Sequence, residues 1–279
     1  MELSRTVGSR GPVNRGKGSA ASEKREAASV RIGCSGWQYK HWRGDFYPAD
    51  LPVSRWFQWY AQAFDTVEIN NSFYRWPDPD TFEKWREQAP RQFLYAVKAA
   101  RFLTHMKKLK DPDEPVARTF DHARHLGRHL GPVLYQLPTR WPVNVERFQQ
   151  FLSVLPKGRL QTVEFRDPSW YTDEIFDLLR RYDVALCLHD MQGSATRRMV
   201  VGPFVYVRYH FGTQKYGGRY EDHRLHEWAD WLAECAEKGT PIYAYFNNDT
   251  GGHAPRDAVR LRDRIMLRLQ RSQLANGRL

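Results

Sequence analysis

From position 30 onward, apolar residues in this chain follow two alternating rhythms. Short runs rich in Val, Ile, Tyr and Phe are separated by longer segments whose apolar positions recur with the helical period. The runs at 30–33, 66–69, 93–98, 133–136, 161–165, 185–189, 204–209 and 242–246 read as strands. Helices fit at 55–64, 80–88, 115–130, 145–155, 173–182, 224–238 and 254–269, while 191–202 is too short for a full helix. Asp80 and Asp173 sit at helix starts, and Gly131 and Gly239 follow helix ends, as capping chemistry favours. Such alternation is the mark of a parallel sheet with crossover helices, and eight strands predict an α/β fold, a single-domain (β/α)8 TIM-type barrel over 30–272. An open doubly wound sheet is the alternative that the pattern allows.

Residues 1–29 break the rhythm, being rich in Gly, Ser, Ala and charge with almost no large apolar side chain, so they read as a disordered basic tail. They hold Arg5, Arg10, Arg15, Lys17, Lys24 and Arg25 against Glu2, Glu23 and Glu26, a surplus of three of the chain's +11. The remaining excess suits an acidic substrate or nucleic acid, and bears on association rather than on fold. A 41% hydrophobic share of 279 residues is enough for a sizeable core. No signal-peptide core is visible, and no apolar stretch approaches the roughly 20 residues of a membrane span, so a cytoplasmic protein without membrane contact is expected. Cys34, Cys187 and Cys235 form no CxxC pair, and reduced thiols are the expected state.

Residues two apart on a strand share a face. The polar ones do so here: Glu68 and Asn70 on strand two, Lys98 on three, Gln136 on four, Glu164 and Arg166 on five, Arg208 and His210 on seven, Tyr243, Tyr245 and Asn247 on eight. The other parity is almost purely apolar and suits packing under helices. The polar set is therefore predicted to point into the barrel and gather at the strands' C-terminal ends, where active sites of such barrels lie. Three cations against two carboxylates leave a positive surplus for an anion, and guanidinium forks match carboxylate or phosphate in two-point contact. The bland alternative is an internal ion-pair network that fills the barrel.

Glu68, Glu164 and Lys98 are the candidate catalytic residues. The glutamates would act as acid and base, and Lys98 as a charge partner or, if desolvated, a Schiff-base nucleophile. Asn70, Tyr74, Gln136, Arg166, Arg208, His210, Tyr245, Asn247 and Asn248 are the candidate substrate contacts. The loops GTQKYGGRY (212–220) and NNDTGGH (247–253) follow strands seven and eight, the usual phosphate-binding corner of this fold.

Glu68, Glu164, His189, Asp190 and His210 are metal-ligand types, but no HExxH-like spacing fixes them. No cofactor is predicted, and a divalent metal is only an alternative. The aromatics Trp37, Tyr39, Trp42, Phe73, Tyr74, Trp76 and Trp170 near strand ends could stack on bases or anchor loops. Arg256, Arg260, Arg264, Arg268 and Arg271 share a helix face that could track a phosphate backbone, though a solvated face is the plainer explanation.

At RIGCSGWQYKHWRGDFYP, FDTVEINNSFYRWP, FLYAVKAARFLTH, GPVLYQLP, VEFRDPSW, VYVRYHFG and IYAYFNND, the last followed by Ala254 and Ala258, the chain resembles the YecE-like family, domain of unknown function 72. The resemblance runs over nearly all of 31–262. It implies a (β/α)8 barrel and places Glu68, Asn70, Lys98, Gln136, Glu164, Arg166, Arg208 and Asn247 within family motifs. It supplies no reaction. Cys34 stands where the family usually carries Thr, and Phe211 intervenes between His210 and Gly212 where Gly usually follows directly. The first expectation is thus an enzyme of hydrolase, isomerase or lyase type acting on a small anionic substrate, phosphorylated ones included, by acid/base chemistry. The alternative is a nucleic-acid-binding or nucleic-acid-processing protein that uses the same basic, aromatic-lined mouth.

Overall fold

The computed structural model describes residues 28–275 and 277, so the segment expected to be a disordered basic tail lies almost wholly outside the described residues. Eight parallel strands run β1 (Val30–Cys34), β2 (Thr66–Ile69), β3 (Leu94–Lys98), β4 (Leu130–Gln136), β5 (Gln161–Glu164), β6 (Ala185–His189), β7 (Val205–Tyr209) and β8 (Ile242–Phe246). They lie in the order β1-β8-β7-β6-β5-β4-β3-β2. A parallel bridge between Ser35 and Glu68 joins β1 to β2 and closes the ring. The protein is a single-domain TIM-like barrel, as the strand and helix pattern predicts.

Seven helices pack outside: α1 (Trp56–Ala63), α2 (Pro79–Gln88), α3 (Asp113–Ala123), α4 (Val145–Ser153), α5 (Asp173–Arg181), α6 (Asp222–Glu237) and α7 (His253–Ala275). Thr172 caps α5 by accepting from the Ile175 amide at 3.4 Å, and Asn144 caps α4 from the Arg147 amide at 2.9 Å. No helix joins β6 to β7, in keeping with the short 191–202 stretch. No helix of the described residues is long and apolar enough to cross a membrane.

Strand parity sorts the core into two clusters. Val67, Val97, Val133, Val163, Val207 and Phe246 face the helices, fully buried in the large outer core. Ala96, Leu134, Cys187, Tyr206, Tyr243 and Tyr245 fill the lower barrel as a second cluster. The charged layer rests on top of that plug.

Several features differ from expectation. The helix predicted over 115–130 is α-helical only to Ala123; a 3-10 run follows over Arg124–His129, broken at Gly127, whose φ 55 and ψ −126 no helix continues. Strand β4 consequently starts at Leu130, and Gly131 lies inside it rather than after a helix. A Cβ on Gly131 would come within 3.1 Å of the Tyr95 carbonyl oxygen, so the glycine permits close β3–β4 approach. Residues Phe102–Met106 form a π-helical turn that the sequence pattern does not foretell.

Candidate functional site

Arg208 stands at the centre of the barrel mouth, 1% exposed. Its Nε donates to both Glu68 oxygens at 3.1 and 3.0 Å, and a terminal nitrogen donates to Glu68 Oε1 at 2.8 Å. The other terminal nitrogen donates to Glu164 Oε2 at 2.8 Å, so one guanidinium holds carboxylates from β2 and β5. Glu68 also accepts from the Ser35 and Tyr206 hydroxyls, each at 2.7 Å. Arg166 Nε donates to Glu164 Oε1. Burial alone would raise the Glu164 pKa, but Arg166 and Arg208 outweigh it and hold the carboxyl well below its ordinary value. Both glutamates are fully buried, and neither reaches solvent.

Above this layer, Arg166 donates to His210 Nε2 at 3.3 Å, while His210 Nδ1 lies 3.2 Å from the Arg208 carbonyl. That pairing makes Nδ1–H the donor and Nε2 the acceptor. Burial and the charges of Arg208 and Arg166 push His210 well below its ordinary pKa, which agrees with a neutral ring. The His210 amide donates to Asp190 Oδ1 at 2.7 Å. Asp190 in turn accepts from the Tyr220 hydroxyl and from Arg224, an anchor for the β7 loop.

Lys98 behaves differently from the arginines. It ends β3 at 8% exposure, with Nζ 4.1 Å from the centroid of the Phe73 ring. Among the described residues no carboxylate lies within ion-pairing distance of this amine. Burial and nearby Arg208 lower its pKa from 10.5 to about 7, despite the opposing pull of Glu164 and Glu68. The Ser72 hydroxyl fixes the strand end by donating to the Lys98 carbonyl at 2.6 Å. Phe73 also meets the His105 ring edge-on at 5.0 Å. Burial and the charges of Lys98 and Arg101 lower His105 to about 4.

A cavity of about 610 Å³ opens above the cluster, with Arg166, Gln136, His105, Lys215, Tyr216 and the 191–194 turn in its walls. Its size suits a small molecule. Arg166 thus forms part of the wall, whereas Arg208 lies one layer below.

The predicted residues divide accordingly. Glu68, Glu164, Lys98, Arg166, Arg208 and His210 converge as expected, Asn70 accepts from Arg208 at 3.4 Å, and Gln136 lines the cavity. Tyr245 is sealed inside the barrel, its hydroxyl 2.7 Å from that of Thr66, so the structure places this expected substrate contact in the plug. Asn248 is also fully buried, donating to the Gly218 carbonyl and to Asp257, each at 2.9 Å. That position ties two loops together and removes it from the mouth. Asn247 follows β8 half-buried, its amide donating to the Tyr209 carbonyl at 2.7 Å. Tyr74 is 75% exposed and lines a second, lateral groove with Phe73, Arg75, Trp76, Arg101 and Arg118, which borders the Lys98 site at Phe73.

The metal-ligand types are taken up by other partners: Arg208 and Arg166 on the glutamates, Phe165 carbonyl on His189 Nε2 at 3.0 Å, and Tyr220 on Asp190. Among the described residues no group of three or more His, Cys, Asp or Glu is placed to hold a metal ion. Trp37, Trp42 and Trp170 are buried anchors rather than stacking platforms. Sequence reasoning overlooked Ser35, Tyr206, Phe73 as the ring under Lys98, and His105. Tyr206 was within reach, because it shares parity with Arg208.

An eight-stranded parallel barrel with charged side chains grouped at the carboxyl ends of its strands defines a TIM-like barrel protein. Residues 31–277 match the family described as "Protein of unknown function DUF72", and the chain belongs to that family. Among its relatives, the UPF0759 protein YunF of Bacillus subtilis is 24% identical over 267 residues, covering 81% of this chain and 90% of YunF. The UPF0759 protein YecE of Escherichia coli K12 is 27% identical over 143 residues, about half of each chain (51% and 50%). The crystal structure of a DUF72 family protein, TM1631 from Thermotoga maritima, superposes with a TM-score of 0.76 at 25% identity, covering 86% of this chain and 99% of that one. A second DUF72 family protein, EF0366 from Enterococcus faecalis, gives a TM-score of 0.71 at 15% identity, with 85% and 95% covered. The family has no established activity.

Proposed function

We propose that the protein is an enzyme that takes a small anionic substrate, phosphorylated or carboxylated, into the strand-end cavity and moves a proton at Lys98. One observation carries this reading: Lys98 is buried beside four charged groups yet pairs with none of the carboxylates among the described residues. An amine held that way near neutrality can both accept and give a proton. Arg166, in the cavity wall, supplies for the anion the terminal nitrogen that its bonds to Glu164 and His210 leave over. Glu68 and Glu164, for which sequence suggested acid and base roles, are better suited to positioning, because their oxygens are occupied by guanidinium and hydroxyl donors. Thermal-shift titration with inorganic phosphate, sugar phosphates and short dicarboxylates tests the reading. Wild type is expected to gain several degrees, and Lys98→Met, which spares every ion pair, to lose most of that gain while still folding. No stabilisation of wild type by any anion of the panel would remove the proposal.

A second reading keeps nucleic acid as the ligand. The lateral groove of about 760 Å³ sets exposed Tyr74 and Phe102 beside Arg75, Arg101 and Arg118, a stacking surface among cations. Its signature is a steep fall of affinity with salt.

A further inference from the structure

We infer that Lys98 is a nucleophile as well as a proton carrier, and that the substrate of the strand-end site is a carbonyl compound bearing an anionic group, captured as an imine. A 2-oxo acid or a phosphorylated aldehyde or ketone fits that description. The inference rests on the reading that the cavity takes small anions, and it narrows that reading to one substrate class.

Three features of the geometry favour carbon–nitrogen bond formation. First, Arg208 is committed to Glu68 and Glu164, and two of the three Arg166 nitrogens to Glu164 and His210. The Lys98 amine lacks such a partner among the described residues, so its lone pair is not tied into the network. Second, the amine is buried at 8% exposure, and removal from water favours the neutral, nucleophilic form, against the cation–π attraction of the Phe73 face 4.1 Å away. Its lowered pKa, about 7, agrees with that burial. Third, the neutral His105 lines the cavity and meets the same Phe73 ring that the amine lies over, which sets a proton relay between cavity and amine.

The step balances within these groups and the substrate. The Nζ lone pair adds to the carbonyl carbon, the C=O π electrons move to oxygen, and that oxygen takes a proton to give a carbinolamine. The nitrogen, having given up one proton, keeps the other as its lone pair expels the hydroxyl, which takes a proton from solvent and leaves as water. Amine, carbonyl and one proton have become a protonated imine and water, with no oxidant or reductant consumed. The substrate's own anionic group offsets the charge of the protonated imine beside Arg208. A neutral carbonyl compound would lack that offset, so the anionic class is expected to be selected.

The test is reductive trapping with glyoxylate, the smallest aldehyde carrying a carboxylate, and cyanoborohydride at pH 7, followed by peptide mass mapping. Lys98 is expected to be modified at least about tenfold faster than the surface residues Lys108 and Lys110, since only a lowered pKa leaves much free amine at pH 7. Inorganic phosphate should protect Lys98 and leave the surface lysines unchanged. Lys98→Arg should lose the label yet keep a phosphate thermal shift, and Lys98→Met supplies the unlabelled control should the arginine variant fail to fold. Modification confined to surface lysines overturns the imine proposal. If phosphate still stabilises wild type in that case, the anion-binding reading survives; if it does not, both fall together.

Discussion

At the scale of single residues, the charged layer is ordered by which cations have partners. Arg208 spans two buried carboxylates, and replacing it would leave both uncompensated in a dry interior, a change that typically costs about 3–5 kcal/mol. Lys98 pays in the opposite direction, since burying its unpaired charge destabilises the fold. Its folded pKa of about 7 lies below the ordinary 10.5. Between those values the unfolded chain holds a proton that the folded chain has released, so stability rises with pH across the window. Below about 7 the folded protein bears the full cost. Lys98→Met is therefore expected to melt several degrees above wild type at pH 6, at about 2–4 °C per kcal/mol for a chain of this size, with the gap narrowing toward pH 10. A gap that stays constant over pH 6–10 in thermal melts would mean that the amine is not perturbed. These residues were legible because parity on a strand is a geometric fact: Glu68, Glu164, Arg166 and Arg208 had to share the interior once the strands were placed. His105 was not legible, because it sits in a π-helical turn whose direction no period encodes.

At the scale of elements, strand and helix positions followed from alternation, and the misplacements cluster where a backbone conformation outweighs periodicity. Gly127 is the clearest case, its positive φ breaking the 3-10 run that follows α3 while the apolar pattern runs on. The barrel seam was also invisible to pattern reading. Between β1 and β2 the ladder is reduced to one bridge, and the Tyr60 hydroxyl of α1 spans part of the gap, accepting from the Cys34 amide at 2.8 Å and donating to the Thr66 carbonyl at 2.9 Å. Gly33 leaves room for that hydroxyl, since a Cβ there would stand 2.8 Å from it. Tyr60→Phe strands a buried donor and a buried acceptor, so a loss of about 1–3 kcal/mol is expected in denaturant unfolding. Hydrogen exchange should quicken first at Cys34 and at Ser35, whose side chain binds Glu68. Uniform exchange across all eight strands would show that the seam is no weaker than the rest of the barrel.

At the scale of the whole molecule, the +11 net charge could be taken for a polyanion-binding surface, but much of the basic helix face is already neutralised. Arg256 pairs with Asp45, Arg260 with Asp222 and Asp257, Arg264 with Asp222 at 3.1 Å, and Arg268 with Asp230 at 3.7 Å. Sequence displayed the arginine row and not its partners, because Asp45, Asp222 and Asp230 come from distant segments that only the closed barrel brings alongside α7. The two functional readings then separate by salt dependence. A small anion held chiefly by Arg166 and Lys98 displaces few counterions, so log affinity against log salt should be shallow. An oligonucleotide lying along the lateral groove would contact several phosphates, and each contributes a slope of about −0.7 to −0.9. Fluorescence anisotropy with a labelled single strand, run alongside phosphate titration over 50–300 mM salt, is expected to give weak oligonucleotide binding that Lys98→Met leaves unchanged. A tight, steeply salt-dependent complex abolished by Tyr74→Ala and Arg118→Gln would shift the principal ligand from the cavity to the groove. The charge cluster in the barrel would then be reassigned to holding the eight strands in register.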